Sequence, residues 1–267
     1  MGKMKVVITR PEADAAAWVR ALTERGHEVL ALPLIEILAA PDAAPLRQAW
    51  QCLSRYHAVM FVSGNAVAQF AAAQEALALT AWAHQAPHTR AWGTGPGTRQ
   101  ALLRAGVSAP QIDAPDTGQF DSEALWQLVQ GGVRAGQRVL IVRGGAAQQA
   151  LTPGAAGVGR DWLASVLRGA GVEVDFVVAY GRRAPVWSAP QRARALAATA
   201  DASLWLFSSA EAVGNLRQLL PQQNWSAARA MATHARIAQA ARDAGFGVVW
   251  ESRASLHQVV ASIESIA

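Results

Sequence analysis

The sequence has a single cysteine, Cys52, so it can form neither an intramolecular disulfide nor a thiolate metal cluster, which fits a reducing compartment. Lysine occurs only at Lys3 and Lys5, and nearly all positive charge is arginine. No run approaches the roughly 18 apolar residues of a membrane span. The opening apolar run breaks at Thr9 and Arg10, too early for a signal-peptide core. Six histidines (27, 57, 84, 88, 234, 257) show no HExxH and no pair on one helix face, which argues against a metal site. There is no G-x-S-x-G elbow, and Cys52, beside Leu53 in a helical pattern, reads as a small buried apolar residue rather than a nucleophile. Acidic residues are sparse and offer no carboxylate pair for acid–base work. The loop Gly93-Thr94-Gly95-Pro96-Gly97 lacks both a third glycine at fingerprint spacing and a Walker lysine, and falls short of a nucleotide-binding loop. An enzyme built from this chain would work without an evident cofactor.

What is present is 267 residues, 52% of them hydrophobic, with a formal net charge of +5. That length suggests about two domains at roughly 150 residues each. The cations are scattered, adjacent only at Arg182–Arg183, and no basic helix, zinc finger or aromatic RNA-binding signature accompanies them. The planar fork of arginine fits carboxylates, so dispersed arginines suit an acidic small molecule. They equally suit a chain that uses arginine as its solubilising cation. The expectation is a soluble, cytoplasmic monomer with no nucleic-acid or membrane partner.

Short β-rich runs alternate with helical patterns along the chain. KVVIT (5–9) reads as a strand, followed by a helix over 12–25 that stops at Gly26. HEVLALP is a second strand. After a Pro/Ala-rich stretch come a helix over 46–54, the strand AVMFVS (58–63) and a helix over 65–79. Strands near 89–92 and 111–113 and helices over 97–105 and 122–130 precede RVLIVRG (138–144). DWLASVLRGAG is a helix and VEVDFVVAY (172–180) a strand. The last third repeats the rhythm, with strands SLWLFSS, 229–233 and VVWES. Its final helix places Leu256, Val259, Val260 and Ile263 on one stripe. Such alternation means parallel sheets covered by helices on both faces.

Three internal echoes occur: FVSGNAV with FSSAEAV, AWGTGPGTRQALLRAG with MATHARIAQAARDAG, and VVITRP with VLIVRG. They favour duplication, although doubly wound segments resemble one another generally. The expected fold is α/β: two doubly wound parallel-sheet domains, about ten strands in two sheets of five, joined by a two-stranded hinge. One domain comprises residues 1–37 plus 190–267 and the other 46–180, with linkers 38–45 and 181–189. The expected ligand site is the cleft between the lobes.

In such sheets ligands bind at the carboxyl ends of the strands. The turns there are Thr9-Arg10-Pro11, Ser63-Gly64-Asn65, Gly93-Thr94-Gly95, Arg143-Gly144-Gly145, Ser208-Ser209-Ala210 and Thr233-His234. Each brings hydroxyls, glycines or an arginine to a helix N-terminus, where unpaired N–H groups attract anions. Ser63, Thr98 and Ser209 also read as helix N-caps.

VVITRP, GHEVLALPLIEI, YHAVMFVSGNAV, AWGTGPGTRQAL, RVLIVRG, GRDWLASVLRGAGVEVDFVVAYGRR, LWLFSSAEAV and ATHARIAQAARDAGF, in this order from about residue 5 to 263, resemble the uroporphyrinogen-III synthase family. The resemblance implies a two-domain α/β fold whose N- and C-terminal parts share one domain. It implies a cofactor-free lyase acting on hydroxymethylbilane, a linear polycarboxylate tetrapyrrole, with loss of the terminal hydroxyl and closure with ring D inverted through a spiro intermediate. Tyr180 matches a tyrosine proposed to help the hydroxyl leave, or is a packing residue at a strand end. The resemblance implies substrate contacts at Arg10, Ser63, Arg143, Ser208, Ser209 and Thr233, and the strand-end turns add Thr9, Gly64, Asn65, Gly93, Thr94 and Gly144 as expected contacts. The chain departs from the family pattern by an insertion over 146–158, which leaves the role of Arg160 open. A non-catalytic two-lobed sensor of a tetrapyrrole or small anion is the alternative.

Overall fold

A computed structural model describes residues 3–40, 42–76, 82–117, 120–146 and 162–266. In chain order it begins with β1 (Lys5–Ile8), α1 (Glu12–Thr23), β2 (Glu28–Ala31), β3 (Glu36–Ala39) and α2 (Ala44–Gln51). Then come β4 (Ala58–Phe61), α3 (Gly64–Ala76), α4 (Trp82–Gln85), β5 (Arg90–Gly93), α5 (Pro96–Arg104), β6 (Ile112–Asp113) and α6 (Ser122–Val129). They are followed by β7 (Arg138–Ala146), α7 (Trp162–Gly169), β8 (Glu173–Arg183), α8 (Ala189–Ala200), β9 (Leu204–Phe207) and α9 (Ala210–Leu219). The last elements are β10 (Arg229–Ala232), α10 (Ala235–Asp243), β11 (Val248–Glu251) and α11 (Leu256–Ile266). The chain separates into two units, residues 1–36 with 183–267, and residues 37–182.

In the first unit, β1 forms because three of its four residues are β-branched and buried on both sides, the signature of a parallel strand between helix layers. The sheet order is β11-β10-β9-β1-β2, and every pairing is parallel. Helix α1 follows Pro11 and ends before Gly26, whose φ of +84° costs a glycine little. Its inner stripe, Ala15, Trp18 and Leu22, meets Val6 and Ile8 from the sheet. Val259, Val260 and Ile263 of α11 complete that layer, as the sequence stripe predicts, with Leu256 only partly buried. An aromatic nest is built from Trp205, Phe207, Trp225 and Phe246; Trp225 stacks on Phe246 at 4.9 Å and meets the Trp205 edge at 5.4 Å.

In the second unit the order is β3-β8-β7-β4-β5-β6. One face packs Phe61 of β4 against Trp50, Phe70, Trp82 and Leu102 of α2, α3, α4 and α5; the other packs Met60, Trp92 and Ile141 against Leu125, Leu163 and Leu167 of α6 and α7. Setting β3 aside, the two sheets read β8-β7-β4-β5-β6 and β2-β1-β9-β10-β11, the same topology with the echoed segments in matching places.

Several expectations need correction. Two sheets of five become five and six strands among the described residues, because Glu36–Ala39, which straddles the expected boundary between residues 1–37 and the linker 38–45, pairs with β8 as an edge strand. Of the span 38–45, residues 38 and 39 lie in β3 and α2 already begins at Ala44; of the span 181–189, residues 181–183 continue β8. The helix expected over 46–54 is α2 followed by a 3₁₀ turn, Leu53–Arg55. Cys52 caps α2 and is only half-buried. Thr98 lies inside α5 and is buried; the cap position belongs to Gly95. Residues 147–158 of the insertion, and Arg160, lie outside the described residues.

Candidate functional site

The carboxyl ends of the parallel strands carry the predicted residues, and each unit supplies its own set. In the first unit these follow β1, β9 and β10. Thr9 is 1% exposed, and its hydroxyl donates to the Leu206 carbonyl at 2.7 Å, tying β1 to β9. Arg10 lays its guanidinium 4.9 Å from the Trp18 ring centre, with a buried Nε that has no hydrogen-bond partner. Desolvation by burial lowers its pKa, partly opposed by Asp14. A half-buried arginine on an aromatic face presents the planar fork whose shape suits a carboxylate.

Beyond β9, Ser209 caps α9 by accepting the Glu211 N–H at 3.2 Å. Beyond β10, His234 caps α10, its Nδ1 accepting the Arg236 N–H at 3.1 Å, a role the sequence did not suggest. Ser208 and Thr233 sit side by side, because the register aligns Phe207 with Ala232 and Thr233 N–H donates to the Phe207 carbonyl. Among the described residues neither hydroxyl is engaged in a hydrogen bond. Two helix N-termini and two hydroxyls thus share one edge, a grouping of donors of the kind that attracts anions.

In the second unit the same edge is formed by β4, β5, β7 and β8. Gly64 opens α3, Asn65 lies in its first turn, and Ser63 precedes it, accepting the Ala66 N–H at 3.2 Å as a cap. The cap and ligand readings of Ser63 meet in one contact: its Oγ lies 3.1 Å from the Tyr180 hydroxyl. Tyr180 is 3% exposed.

The expected Arg143-Gly144-Gly145 turn is not a turn. β7 continues to Ala146 alongside β8, and the register slips between Arg143 and Gly144 so that Gly144 faces Tyr180. Two glycines read as a breaker in sequence, but here they stay in the ladder and one lies under the phenol. A Cβ on Gly144 would stand 2.5 Å from Tyr180 Cζ and 2.9 Å from its hydroxyl. Arg143 points to the opposite layer, its guanidinium 4.0 Å from the Phe176 ring centre, with that of Arg168 at 5.4 Å.

The Gly93–Gly97 loop is filled from within. A Cβ on Gly95 would meet Phe120 at 2.7 Å, and one on Gly93 would meet Thr98 at 3.0 Å, so these glycines permit close packing. Thr94 remains half-buried at the edge.

Other cavities lie elsewhere. A groove of about 620 Å³ along α1 holds none of the predicted residues. A cavity of about 300 Å³ near the starts of β7 and β8 is lined by Tyr56, Arg138 and Asp175. Burial, then Asp175, pushes the Tyr56 phenol up to about 12. Among the described residues no group of three or more His, Cys, Asp or Glu could hold a metal, and no helix is long and apolar enough to cross a membrane.

Comparison with known proteins converges on one family. The profile described as Uroporphyrinogen-III synthase HemD matches residues 16–260. The uroporphyrinogen-III synthase of Salmonella typhimurium is 29% identical over 252 residues, 91% of this chain and 92% of that protein. The solved uroporphyrinogen-III synthetase of Helicobacter pylori aligns with a TM-score of 0.55 at 15% identity, over 99% of this chain and 100% of that one. A substituted form of the Thermus thermophilus uroporphyrinogen III synthase aligns with a TM-score of 0.54 at 16% identity, over 98% and 97%. At such identities these two structures speak for the fold.

Proposed function

The chain belongs to the uroporphyrinogen-III synthase family, and we propose that it closes hydroxymethylbilane to uroporphyrinogen III, working as a cytoplasmic monomer without metal or organic cofactor. The observation that carries this reading is the Tyr180 phenol held against Ser63 at the carboxyl edge of a parallel sheet.

A polycarboxylate needs many weak anchors rather than one strong one. Arg10, Ser208, Thr233 and the N-termini of α9 and α10 supply them in the first unit; Asn65, Thr94 and the start of α3 supply them in the second. Tyr180 then acts as a neutral acid. The carbon–oxygen bond of the hydroxymethyl group breaks, the oxygen takes the phenolic proton and leaves as water, and the pyrrole nitrogen's electron pair is drawn into a new exocyclic double bond. The phenolate recovers a proton from that nitrogen, leaving a neutral azafulvene and an unchanged tyrosine. Holding the chain folded for attack on the substituted carbon of the last ring is a task of orientation and water exclusion.

The test is isomer analysis of the oxidised porphyrin after the pure protein meets freshly generated bilane. Isomer III is expected. Only the spontaneous isomer I would leave the sensor reading instead. Tyr180→Phe should lower kcat by about 100-fold, the low end for general-acid help, while the product stays isomer III.

A further inference from the structure

We propose that Ser63 and Gly144 are positioning residues for Tyr180: Gly144 gives the phenol a passage across β7, and Ser63 donates a hydrogen bond to the phenol oxygen. This rests on Tyr180 being the proton donor proposed above.

The argument begins with strand order. Tyr180 is on β8 and Ser63 follows β4, with β7 between them. Two inter-strand spacings separate β8 from β4, about 9–10 Å. A tyrosine can span that distance only by lying across the middle strand, where any side chain would block it. The residue beneath is glycine, placed there by the register slip after Arg143. The ring lies so close that a Cβ on Gly144 would fall within 2.5–2.9 Å of Cζ, Cε2 and the hydroxyl oxygen. Real side chains do not approach so closely, so even alanine would displace the phenol.

Either oxygen could donate in the Ser63–Tyr180 contact, and a Tyr180 that gives its proton to the substrate assigns the donor role to Ser63. Its Oγ already accepts the Ala66 N–H at the start of α3. An oxygen that accepts a backbone N–H keeps its own proton for a second partner, and the phenol oxygen stands 3.1 Å away. A proton donated to that oxygen favours the charge it gains when the phenolic proton leaves. The sequence named Ser63 and Gly144 as substrate contacts; the geometry instead makes them act through Tyr180.

The test is a double-mutant cycle on kcat. Ser63→Ala should lower kcat about 10-fold when Tyr180 is present and less than about 2-fold in a Tyr180→Phe background. Loss of the helix cap lowers stability equally in both, so a purely structural role would give the same factor twice. Ser63→Thr, which keeps the hydroxyl, should restore most of the rate. For Gly144→Ala, the urea midpoint should fall in the Tyr180 protein but not in Tyr180→Ala, where the ring is gone. Equal losses for Ser63→Ala in both backgrounds overturn the positioning role while leaving Tyr180 as donor. Wild-type turnover in Tyr180→Phe alone overturns the donor reading and this proposal with it.

Discussion

Replacing Thr9 by valine separates a structural hydroxyl from a substrate-binding one. The Thr9 hydroxyl is inside the protein, 1% exposed, and donates to the Leu206 carbonyl at 2.7 Å. Valine keeps the β-branched shape that the end of β1 favours and removes only the hydrogen bond. A net hydrogen bond is worth about 0.5–1.5 kcal/mol, and an under-satisfied buried carbonyl raises the cost, so Thr9→Val should destabilise the first unit by about 1–2 kcal/mol. With a urea slope of about 2 kcal/mol per molar, the midpoint should drop by roughly 0.5–1 M. Tryptophan fluorescence reports the transition, because Trp205 and Trp225 lie in the aromatic nest of the same unit. Under conditions where the variant is folded, kcat and KM should match the parent. An unchanged midpoint with a raised KM would show that the hydroxyl serves the substrate and that the Leu206 contact contributes nothing.

Two further outcomes are expected. Only two tyrosines contribute phenolate absorbance, and Tyr56 should titrate near the value of about 12 that its burial and Asp175 impose. Since this lies above the ordinary 10, stability should be intact below pH 10 and fall between pH 10 and 12, a fall reduced in Tyr56→Phe. Gly247→Ala should destabilise by more than about 2 kcal/mol, measured by urea unfolding, because its Cβ would collide with the Ser226 carbonyl oxygen and the backbone there would have to move; a parent-like midpoint would show that this loop yields freely.

Much of the fold was readable because it is written in local patterns. The buried runs of β1, β4, β7 and β9 leave little choice between strand and helix, and Gly26 marks the end of α1 plainly. What escaped was non-local. β3 has no buried run of its own and is a strand only because β8 lies beside it. The continuation of β7 through Gly144 and Gly145 depends on pairing with Tyr180 and Gly181, which no window around position 144 contains. The site followed the same division. Strand ends could be placed from sequence, and so could Ser209 as a cap. The Ser63–Tyr180 contact joins residues 117 positions apart and could not be placed. Nor could the inward turn of Arg143 onto Phe176, since residues inside a strand alternate faces and a turn residue need not.

The interrupted first unit has a consequence for how the protein is made. Thr9 and Leu206 are neighbours in space but 197 residues apart in the chain. On a ribosome adding about 5–20 residues per second, β1 waits roughly 10–40 s for β9 to emerge. Residues 37–182 can collapse during that interval using only their own contacts, whereas Val6, Val7 and Ile8 have only β2 to pair with and lack β9 on their other edge. The nascent chain therefore carries a β-prone apolar segment with one open edge throughout synthesis of the other unit. Lys3 and Lys5 precede this segment and Arg10 follows it, and flanking charges of this kind discourage intermolecular strand pairing.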